Sequence, residues 1–227
     1  MLTQVAASTD LRRQVPAPGS SRDPSIGLLA SIDLMGLVMP FARNEEIYGE
    51  GESADYAYKV LSGSVRVYKV LNDGRRQISA FYLPGDIFGL EPGDEHAFSA
   101  DAIANSNILV VKRSAVAALT ARDITSAQQL WALTARELQY MQDHVVLLVK
   151  SARERIASFL LQMGQRVSSA NEIELPMSRQ DIADYLGLTI ETVSRTLTQL
   201  ENSAAIALPA SRRIVIRNRA ALTQLNS

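Results

Sequence analysis

The chain contains no cysteine among its 227 residues and only two histidines. The lack of cysteine excludes disulfide bonds, cysteine-bound iron–sulfur clusters, cysteine-type zinc sites and thiol redox switches, and it is consistent with a reducing cytoplasm. Metalloenzymes built on a β-barrel need clustered histidines and carboxylates, whereas His96 and His144 stand far apart in the chain. We therefore expect no enzyme, no metal site, and ordinary surface roles for both histidines.

Long apolar runs and an excess of either charge are also missing. The first twenty residues already include Asp10 and lack the continuous apolar stretch of a signal peptide or a membrane span. We therefore expect a soluble, cytoplasmic protein without membrane contacts. The formal net charge of -1 argues against a chain coated in nucleic acid, but it allows a local basic patch. Apolar residues make up 47% of the chain, which is enough for two small domains with separate cores.

Changes in periodicity divide the chain into four segments. An apolar helix is predicted over Ile26–Met39, ending before Pro40. Short alternating strands follow, separated by turns such as Asn72-Asp73-Gly74, and they predict a small antiparallel sandwich or barrel. The predicted segments are a flexible arm (1–25), a β-domain (26–121), a long helix (122–151), and a C-terminal unit of helix, helix, turn, helix and two short strands (152–227).

The long helix carries apolar side chains at alternating steps of three and four residues. Such a heptad seam is suited to packing against a partner helix. The alternative is a helix packed only on its own sheet, but the stripe is longer than a small β-domain could cover. We therefore predict a homodimer with Trp131, Leu138, Met141, Val145 and Leu148 in its seam, and with Thr134 and Ala152 in the same register.

Residues 178–195 carry the pattern of two helices that cross at a sharp turn. Ser178 followed by Asp181 resembles a capping box at the start of the first helix. Gly187 supplies the turn, and Thr189 can cap the second helix. The agreement of both caps, the turn and an amphipathic second helix predicts a helix-turn-helix. The residues of the second helix predicted to face inward are Ile190, Val193, Leu197 and Leu200.

The outward face of the second helix carries Glu191, Ser194 and Arg195, which are spaced so that they project together. In the major groove of DNA, arginine can donate two hydrogen bonds to a guanine edge, and glutamate can accept one from cytosine N4. The alternative is a solvent-exposed face on which Glu191 pairs with Arg195. We favour base reading because the three residues lie inside a helix-turn-helix pattern.

Phosphate contacts are predicted at the helix N-termini, where backbone N–H groups attract anions. A hairpin wing with a basic tip is predicted downstream, since apolar segments 206–208 and 214–216 flank a pair of arginines. Every charge after Glu201 is positive, which gives a near-neutral chain a local site for DNA, although Arg217 and Arg219 also fit ordinary solvated surface positions. The predicted phosphate contacts are Ser178, Arg179, Gln180, Thr189, Thr192, Arg212 and Arg213.

From about residue 26 onward, the order of β-domain, long helix and winged helix-turn-helix resembles the CRP/FNR superfamily of transcription regulators. The resemblance is densest over 186–195, where Glu-x-x-Ser-Arg is similar to the FNR and FixK branch rather than to the cyclic-AMP branch. It implies an α+β protein with an N-terminal antiparallel β-roll, a dimerisation helix and a C-terminal winged helix-turn-helix. It also implies binding to palindromes with TTGA-type half-sites, and contact with RNA polymerase through β-roll loops around Gly74–Pro84.

The β-roll region departs from the cyclic-nucleotide binders that it resembles. Those relatives hold the phosphate with a Gly-Glu pair and an Arg-Ser pair, but here Leu90 and Phe98 stand where Glu and Arg are expected. Without the arginine, no fixed positive charge offsets a phosphate in a closed pocket. The resemblance to FixK-type regulators therefore implies no bound cofactor. The alternative is a β-roll that binds another small molecule beside the turn at Pro84–Gly89.

Overall fold

The computed structural model describes residues 24–166 and 172–225. It consists of an N-terminal β-roll, a long helix and a C-terminal winged helix-turn-helix, so the predicted α+β fold is confirmed. The predicted flexible arm lies outside the described residues, except for its last two residues, which belong to the first helix. Within the described ranges, no helix is both long and apolar enough to cross a lipid bilayer.

The β-roll contains two four-stranded antiparallel sheets that enclose a core. Its strands are β1 (Leu37–Phe41), β2 (Glu46–Tyr48), β3 (Tyr56–Ser62), β4 (Val65–Val70), β5 (Arg76–Tyr82), β6 (Ile87–Phe88), β7 (Ser99–Ala102) and β8 (Ser106–Lys112). The strand orders are β1-β8-β3-β6 and β2-β7-β4-β5. Aromatic side chains from both sheets fill the space between them, with the rings of Tyr58 and Phe88 centred 5.1 Å apart and Tyr48 beside them.

The predicted turn at Asn72-Asp73-Gly74 joins β4 to β5. Gly74 has a φ of +82°, a backbone conformation that glycine adopts without steric cost. Its N–H donates to the carbonyl oxygen of Leu71 at 2.8 Å. This prediction is confirmed.

The first helix, α1 (Pro24–Met35), ends earlier than the sequence predicts. The following residues form β1, which is an edge strand paired with β8. Gly36 lets the chain pass close to β8 at this point, because a Cβ atom there would lie 2.5 Å from the Cγ atom of Leu109. Pro40 fits in β1 because an edge strand tolerates a residue without an N–H group. The predicted helix through Met39 is therefore wrong, since pairing with β8 overrides the apolar spacing.

Two helices follow the β-roll: α2 (Arg113–Arg122) and α3 (Ile124–Leu148). The side chain of Asp123 caps α3 by accepting hydrogen bonds from the N–H groups of Thr125 and Ser126 at 3.2 and 3.0 Å. One face of α3 packs on α1 and α2, where Leu130 and Leu133 contact the buried cluster beneath the β-roll. The long helix therefore joins the β-roll to the C-terminal unit.

The C-terminal unit contains α4 (Ala152–Arg166), β9 (Glu172–Glu174), α5 (Arg179–Leu186), α6 (Ile190–Asn202), β10 (Ile206–Ala210), β11 (Arg213–Ile216) and α7 (Arg219–Leu225). The sequence predicts one apolar face of α4 from Ile156, Phe159, Leu160 and Met163, and this face is confirmed because all four side chains are at most 2% exposed. The sequence also predicts that this helix ends at Gly164 and the polar run 168–171, but the helix continues to Arg166, and that run lies outside the described residues. The wing is a three-stranded sheet in the order β10-β11-β9.

Candidate nucleic-acid interface

The predicted capping box at the start of α5 is confirmed. The Ser178 hydroxyl accepts a hydrogen bond from the N–H of Asp181 at 3.1 Å, and the Asp181 carboxylate accepts one from the N–H of Ser178 at 2.9 Å. The same carboxylate oxygen accepts from the Ser178 hydroxyl at 2.7 Å. An aspartate therefore closes the box in place of the usual Glu or Gln, and it fixes the direction in which α5 begins.

The carboxylate of Asp181 is buried, with 3% of the residue exposed. Its second oxygen accepts from Arg66 at 3.0 Å and from Arg76 at 2.7 Å. Burial alone would raise the pKa of Asp181, but the hydrogen bonds from Ser178 and the charges of the two arginines outweigh it. The pKa of Asp181 is therefore held below its ordinary value.

We expect Asp181→Asn to lower the free energy of unfolding at pH 7 by about 2–4 kcal/mol, because buried Arg66 and half-buried Arg76 lose the negative charge that they share. The pKa of Asp181 is lower in the folded chain than in the unfolded chain, where it is about 3.9. The charge of Asp181 therefore stabilises the fold fully above the unfolded-chain pKa, and this contribution is lost as pH falls through the folded-chain pKa. In urea unfolding, the difference between wild type and variant should therefore shrink from pH 7 to about pH 3.

The matched control for this measurement is Asp73→Asn, which changes an exposed aspartate at the β4–β5 turn. It should leave the unfolding midpoint unchanged at both pH values, because exposed pairs contribute little. If the Asp181→Asn difference had the same size at both pH values, the charge of Asp181 would not be its source.

Gly187 makes the predicted turn between α5 and α6. It has a φ of +62° and a ψ of +40°, the left-handed conformation common after helices. The Arg155 side chain from α4 donates to the carbonyl oxygen of Leu186 at 2.8 Å and so holds the end of α5. Thr189 then caps α6 by accepting from the N–H of Thr192 at 3.2 Å. Both the turn and the cap agree with the sequence predictions.

The inner face of α6 is formed by Val193, Leu197 and Leu200, which are at most 3% exposed. The sequence predicts that Ile190 shares this face, but it is 37% exposed, so that prediction is wrong. The reason is position: Ile190 is the first residue of α6, at the end beside the turn.

The outer face of α6 presents the predicted base-reading residues. Glu191 and Arg195 are exposed, and Ser194 is half-buried between them. Hydrogen bonds from its own backbone N–H and from the Thr189 hydroxyl, with a smaller contribution from Arg195, lower the pKa of Glu191 and keep it an anionic acceptor at neutral pH. Arg195 forms no hydrogen bond or ion pair with another described residue. The structure therefore brings an acceptor, a hydroxyl and a bidentate donor together.

The side chains predicted to contact phosphates at the helix N-termini differ in whether they already form hydrogen bonds within the chain. The hydroxyls of Ser178 and Thr189 serve as caps, and the Thr192 hydroxyl lies 3.1 Å from that of Thr189. Gln180 donates to a carboxylate on the next turn of α5 at 2.7 Å. Arg179 is half-buried and makes no ion pair with any residue that the structure describes. Arg179 therefore provides a positive charge for a phosphate at the N-terminus of α5.

The wing places its two predicted arginines differently. Arg212 donates to the carbonyl oxygen of Pro176 at 3.2 Å, which brings the tip of the wing against the loop before α5. Arg213 forms an ion pair with Glu172 of β9. Sequence reasoning missed β9 because a three-residue strand gives little alternation. The available signal was Ile173, flanked by two glutamates and 1% exposed.

One face of α3 is an apolar stripe that nothing in the described chain covers. Its members recur every seven residues: Ile124, Trp131, Leu138 and Val145, which are 75%, 76%, 60% and 65% exposed. Three of the five predicted seam residues lie on this stripe. The other two, Met141 and Leu148, are half-buried, Met141 beside the β-roll and Leu148 beside Gly187. An exposed heptad stripe is suited to a second helix.

A cavity of about 380 Å³ lies between the β-roll and α3. Leu90 and Phe98 line it, as do three carboxylates and one guanidinium. One of these carboxylates, that of Glu137 on α3, accepts a hydrogen bond from the Tyr82 hydroxyl at 2.6 Å. Burial raises the pKa of Glu137. A lining with more carboxylates than cations is poorly suited to a phosphate.

The expectation of surface roles for the histidines is wrong for His96. It is 2% exposed, its ring stacks on that of Tyr48 with centroids 3.6 Å apart, and its Nδ1 atom lies 2.5 Å from Glu91 Oε1. His144 is half-buried and stacks on Tyr185 at 4.2 Å, and burial lowers its pKa. Aromatic stacking thus explains both positions. Among the described residues, no group of three or more His, Asp or Glu could hold a metal ion.

Comparison with known proteins gives matches to both halves of the chain. Residues 154–225 match the Crp-like helix-turn-helix domain family, and residues 38–123 match the cyclic nucleotide-binding domain family. Nitrogen fixation regulation protein FixK of Azorhizobium caulinodans is 47% identical over 96% of this chain and 89% of its own length. The fumarate and nitrate reduction regulatory protein of Vibrio cholerae is 33% identical over 82% of this chain and 77% of its own. The structure of FixK2 from Bradyrhizobium japonicum has a TM-score of 0.82 and 49% identity, covering 85% of this chain and 98% of that one.

Proposed function

Because the chain belongs to the CRP/FNR family of transcription regulators and is similar to FixK, we propose that it binds DNA as a homodimer at a palindrome of TTGA-type half-sites. The observation that carries the proposal is the outer face of α6. Glu191, Ser194 and Arg195 project side by side there, while the other face of the helix is buried in its own domain. A helix supported in this way fits the major groove.

The G·C pair of a TTGA half-site offers partners for both charged side chains. Arg195 donates to guanine O6 and N7, and Glu191 accepts from cytosine N4 on the opposite strand. Ser194 lies between them and is short enough to reach a neighbouring base or a phosphate. The charge of Glu191 at neutral pH supports this assignment, and so does the lack of a competing ion pair between Arg195 and any other described residue.

Phosphate binding is assigned to the N-termini of α5 and α6 and to two arginines beside them. Arg179 stands in the first turn of α5, and Arg212 lies at the wing tip near Pro176. The contribution of Arg213 is smaller, because Glu172 offsets its charge. Hydroxyls of Ser178, Thr189 and Thr192 and the amide of Gln180 complete the phosphate-contact set.

The dimer is assigned to the exposed stripe of α3, from Ile124 to Val145. Two copies packed along this stripe place their recognition helices in successive major grooves, about 34 Å apart. The dimer would act in the cytoplasm, without membrane contacts, where it meets DNA and RNA polymerase. Within Gly74–Pro84, the candidate polymerase surface is limited to the β4–β5 hairpin tip at Gly74 and Arg75, because Arg76 and Phe81 contact the C-terminal unit.

We propose that binding needs no cofactor, because three carboxylates surround the one guanidinium in the cavity beside α3, and Phe98 stands where cyclic-nucleotide binders have the phosphate-holding arginine. The alternative is a regulator gated by a small molecule, and the observation that favours it is the cavity itself. Its volume of about 380 Å³ is enough for a small ligand. The two candidates differ in whether the purified protein binds specific DNA on its own.

The test is in-vitro selection of bound duplexes by the purified full-length chain with no small molecule added. We expect enrichment of a palindrome containing TTGA and its complement, with both half-sites bound by one dimer. Enrichment that requires a cell-extract fraction of small molecules would favour the gated alternative. A selected pool with no preferred sequence under either condition would contradict specific DNA binding.

A further inference from the structure

The β-roll and the C-terminal unit share an interface where β4 and β5 contact α5. Its apolar part includes Ile78 and Phe81 of β5, which belong to the same buried cluster as Phe159 and Tyr185. The rings of Phe81 and Tyr185 are centred 5.1 Å apart. Apolar contacts of this kind hold surfaces together but are not directional. They do not by themselves fix one orientation of α5 against the β-roll.

The polar part of this interface begins with Arg66 of β4, which is 8% exposed. Its Nη1 atom donates to Asp181 of α5 at 3.0 Å, and its Nη2 atom donates to Asp101 of β7 at 2.8 Å. The hydroxyl of Tyr68 donates to the second oxygen of Asp101 at 3.2 Å. Arg66 is therefore held by its own β-roll on one side and bridges to the C-terminal unit on the other.

Arg76 of β5 makes the second bridge. It donates to Asp181 at 2.7 Å and to Asp184 at 2.8 Å, so that one guanidinium spans the first and second turns of α5. Charge-assisted bonds from a planar guanidinium to two carboxylates require a particular alignment of the three groups. Arg76 can satisfy both bonds only when α5 is aligned along it.

Asp181 joins this bridge to the local geometry of the helix-turn-helix. One of its oxygens closes the capping box with Ser178, while the other receives both arginines. The Gly187 turn links α5 to α6, and Leu188 N–H donates to the carbonyl oxygen of Ala183 at 3.0 Å across it. A rotation of α5 against the β-roll therefore moves the recognition helix as well.

Buried ion pairs often add little net stability, because removing the charges from water offsets their attraction. Their better-supported effect is to favour one arrangement over others that an apolar contact would allow. The β-roll also packs on α3, which bears the exposed heptad stripe. Because α6 moves with α5, holding α5 in one orientation against the β-roll also holds α6 in one orientation relative to the dimer axis.

We propose that Arg66 and Arg76 are positioning residues that determine which half-site spacing the dimer accepts. The inference rests on the proposed function, since it needs a dimer on a palindrome. Inserting one base pair between half-sites moves one of them by about 3.4 Å and turns it by about 35°. A dimer with fixed α6 helices cannot follow that change without losing base contacts, whereas a dimer with loosened helices can.

The test compares dissociation constants for duplexes that carry the selected half-sites at the selected spacing and at spacings one base pair shorter and longer. For the wild type we expect the best spacing to bind on the order of a hundredfold tighter than its neighbours, because misplacement costs contacts at two or more base pairs. Arg76→Gln should reduce this ratio to below about tenfold. Arg76→Lys, which keeps the charge, should restore part of it.

The matched control is Arg75→Gln, which removes the same charge one residue away. Arg75 is exposed, and among the residues that the structure describes it pairs only with Asp73 of its own hairpin. It should keep the wild-type spacing ratio. Asp184→Asn provides a second variant, because it removes the other partner of Arg76 and leaves the capping box intact. Melting temperature and dimer mass are measured for every variant. If either Arg76→Gln or Asp184→Asn fails to fold, the other variant carries the test.

A spacing ratio unchanged in both folded variants would overturn the proposal, and so would an equal loss of affinity at all spacings. The latter would mean that the arginines support the fold without positioning α6. If the wild type itself binds no paired half-sites, the failure belongs to the proposed function instead.

Discussion

An Arg195→Ala protein should bind the selected palindrome about 2–6 kcal/mol more weakly than the wild type, because each of its two recognition helices loses a contact of about 1–3 kcal/mol. The variant should also stop discriminating at one base pair of each half-site. Arg195 is exposed and makes no ion pair with other described residues, so its removal leaves the fold unchanged. Gel shifts at one fixed salt concentration, with the palindrome and with its G·C pair replaced, measure both effects.

The control for Arg195 is Arg122→Ala, which removes one exposed positive charge at the end of α2 in the N-terminal half. It should leave both the affinity and the base preference of the wild type. A different outcome is easily recognised: if Arg195→Ala weakened binding to every duplex equally, Arg195 would be a phosphate contact. If Arg195→Ala bound the palindrome as tightly as the wild type does, the placement of α6 in the major groove would be contradicted.

The second large effect is expected from Val145→Glu, which should turn the dimer into a monomer. Val145 lies on the exposed stripe of α3, and a dimer would bury the new carboxylate without a partner. A monomer binds one half-site at a time, so affinity for the palindrome should fall by roughly 10²–10⁴-fold. Light scattering measures the mass, and the same gel shift measures the affinity.

Two substitutions separate charge burial from other effects. Val145→Ala removes apolar bulk without adding charge and should weaken the dimer only modestly. Ala132→Glu adds the same charge at an exposed position about 100° around α3 from Trp131, and it should leave the dimer intact. A monomeric wild type would contradict the assignment of the stripe, and a dimeric Val145→Glu protein would place the contact elsewhere.

The features that the sequence predicts correctly are those set by chemistry within a few residues. The Ser178–Asp181 box and the Thr189 cap each join a side chain to a backbone group no more than three residues away, and the left-handed Gly187 bonds through its backbone N–H to Ala183, four residues earlier. The buried face of α4 follows in the same way from helical periodicity. For this reason the local pattern alone is enough to locate the candidate base-reading face on the second helix.

The features that the sequence did not predict depend on contacts between distant segments. Arg66 and Asp181 are separated by 115 residues, and no local pattern links them. Contacts between distant segments also decide that β1 is a strand, because it pairs with β8. They likewise explain why Met141 is half-buried, since the β-roll packs beside it. Heptad spacing identified the helix that bears the exposed apolar stripe, but it could not tell which of the apolar residues the protein's own chain would cover.

Pro40 has a consequence for how the protein behaves at high concentration. It stands in edge strand β1, among Leu37, Val38 and Met39, which are all at least 41% exposed. An apolar strand with a free edge is a template on which another molecule can add its own strand, and growth of that kind leads to aggregates. Proline has no amide hydrogen to offer an incoming strand, so we expect Pro40 to weaken any ladder that forms along β1. We therefore expect a Pro40→Val protein to aggregate at a lower concentration than the wild type.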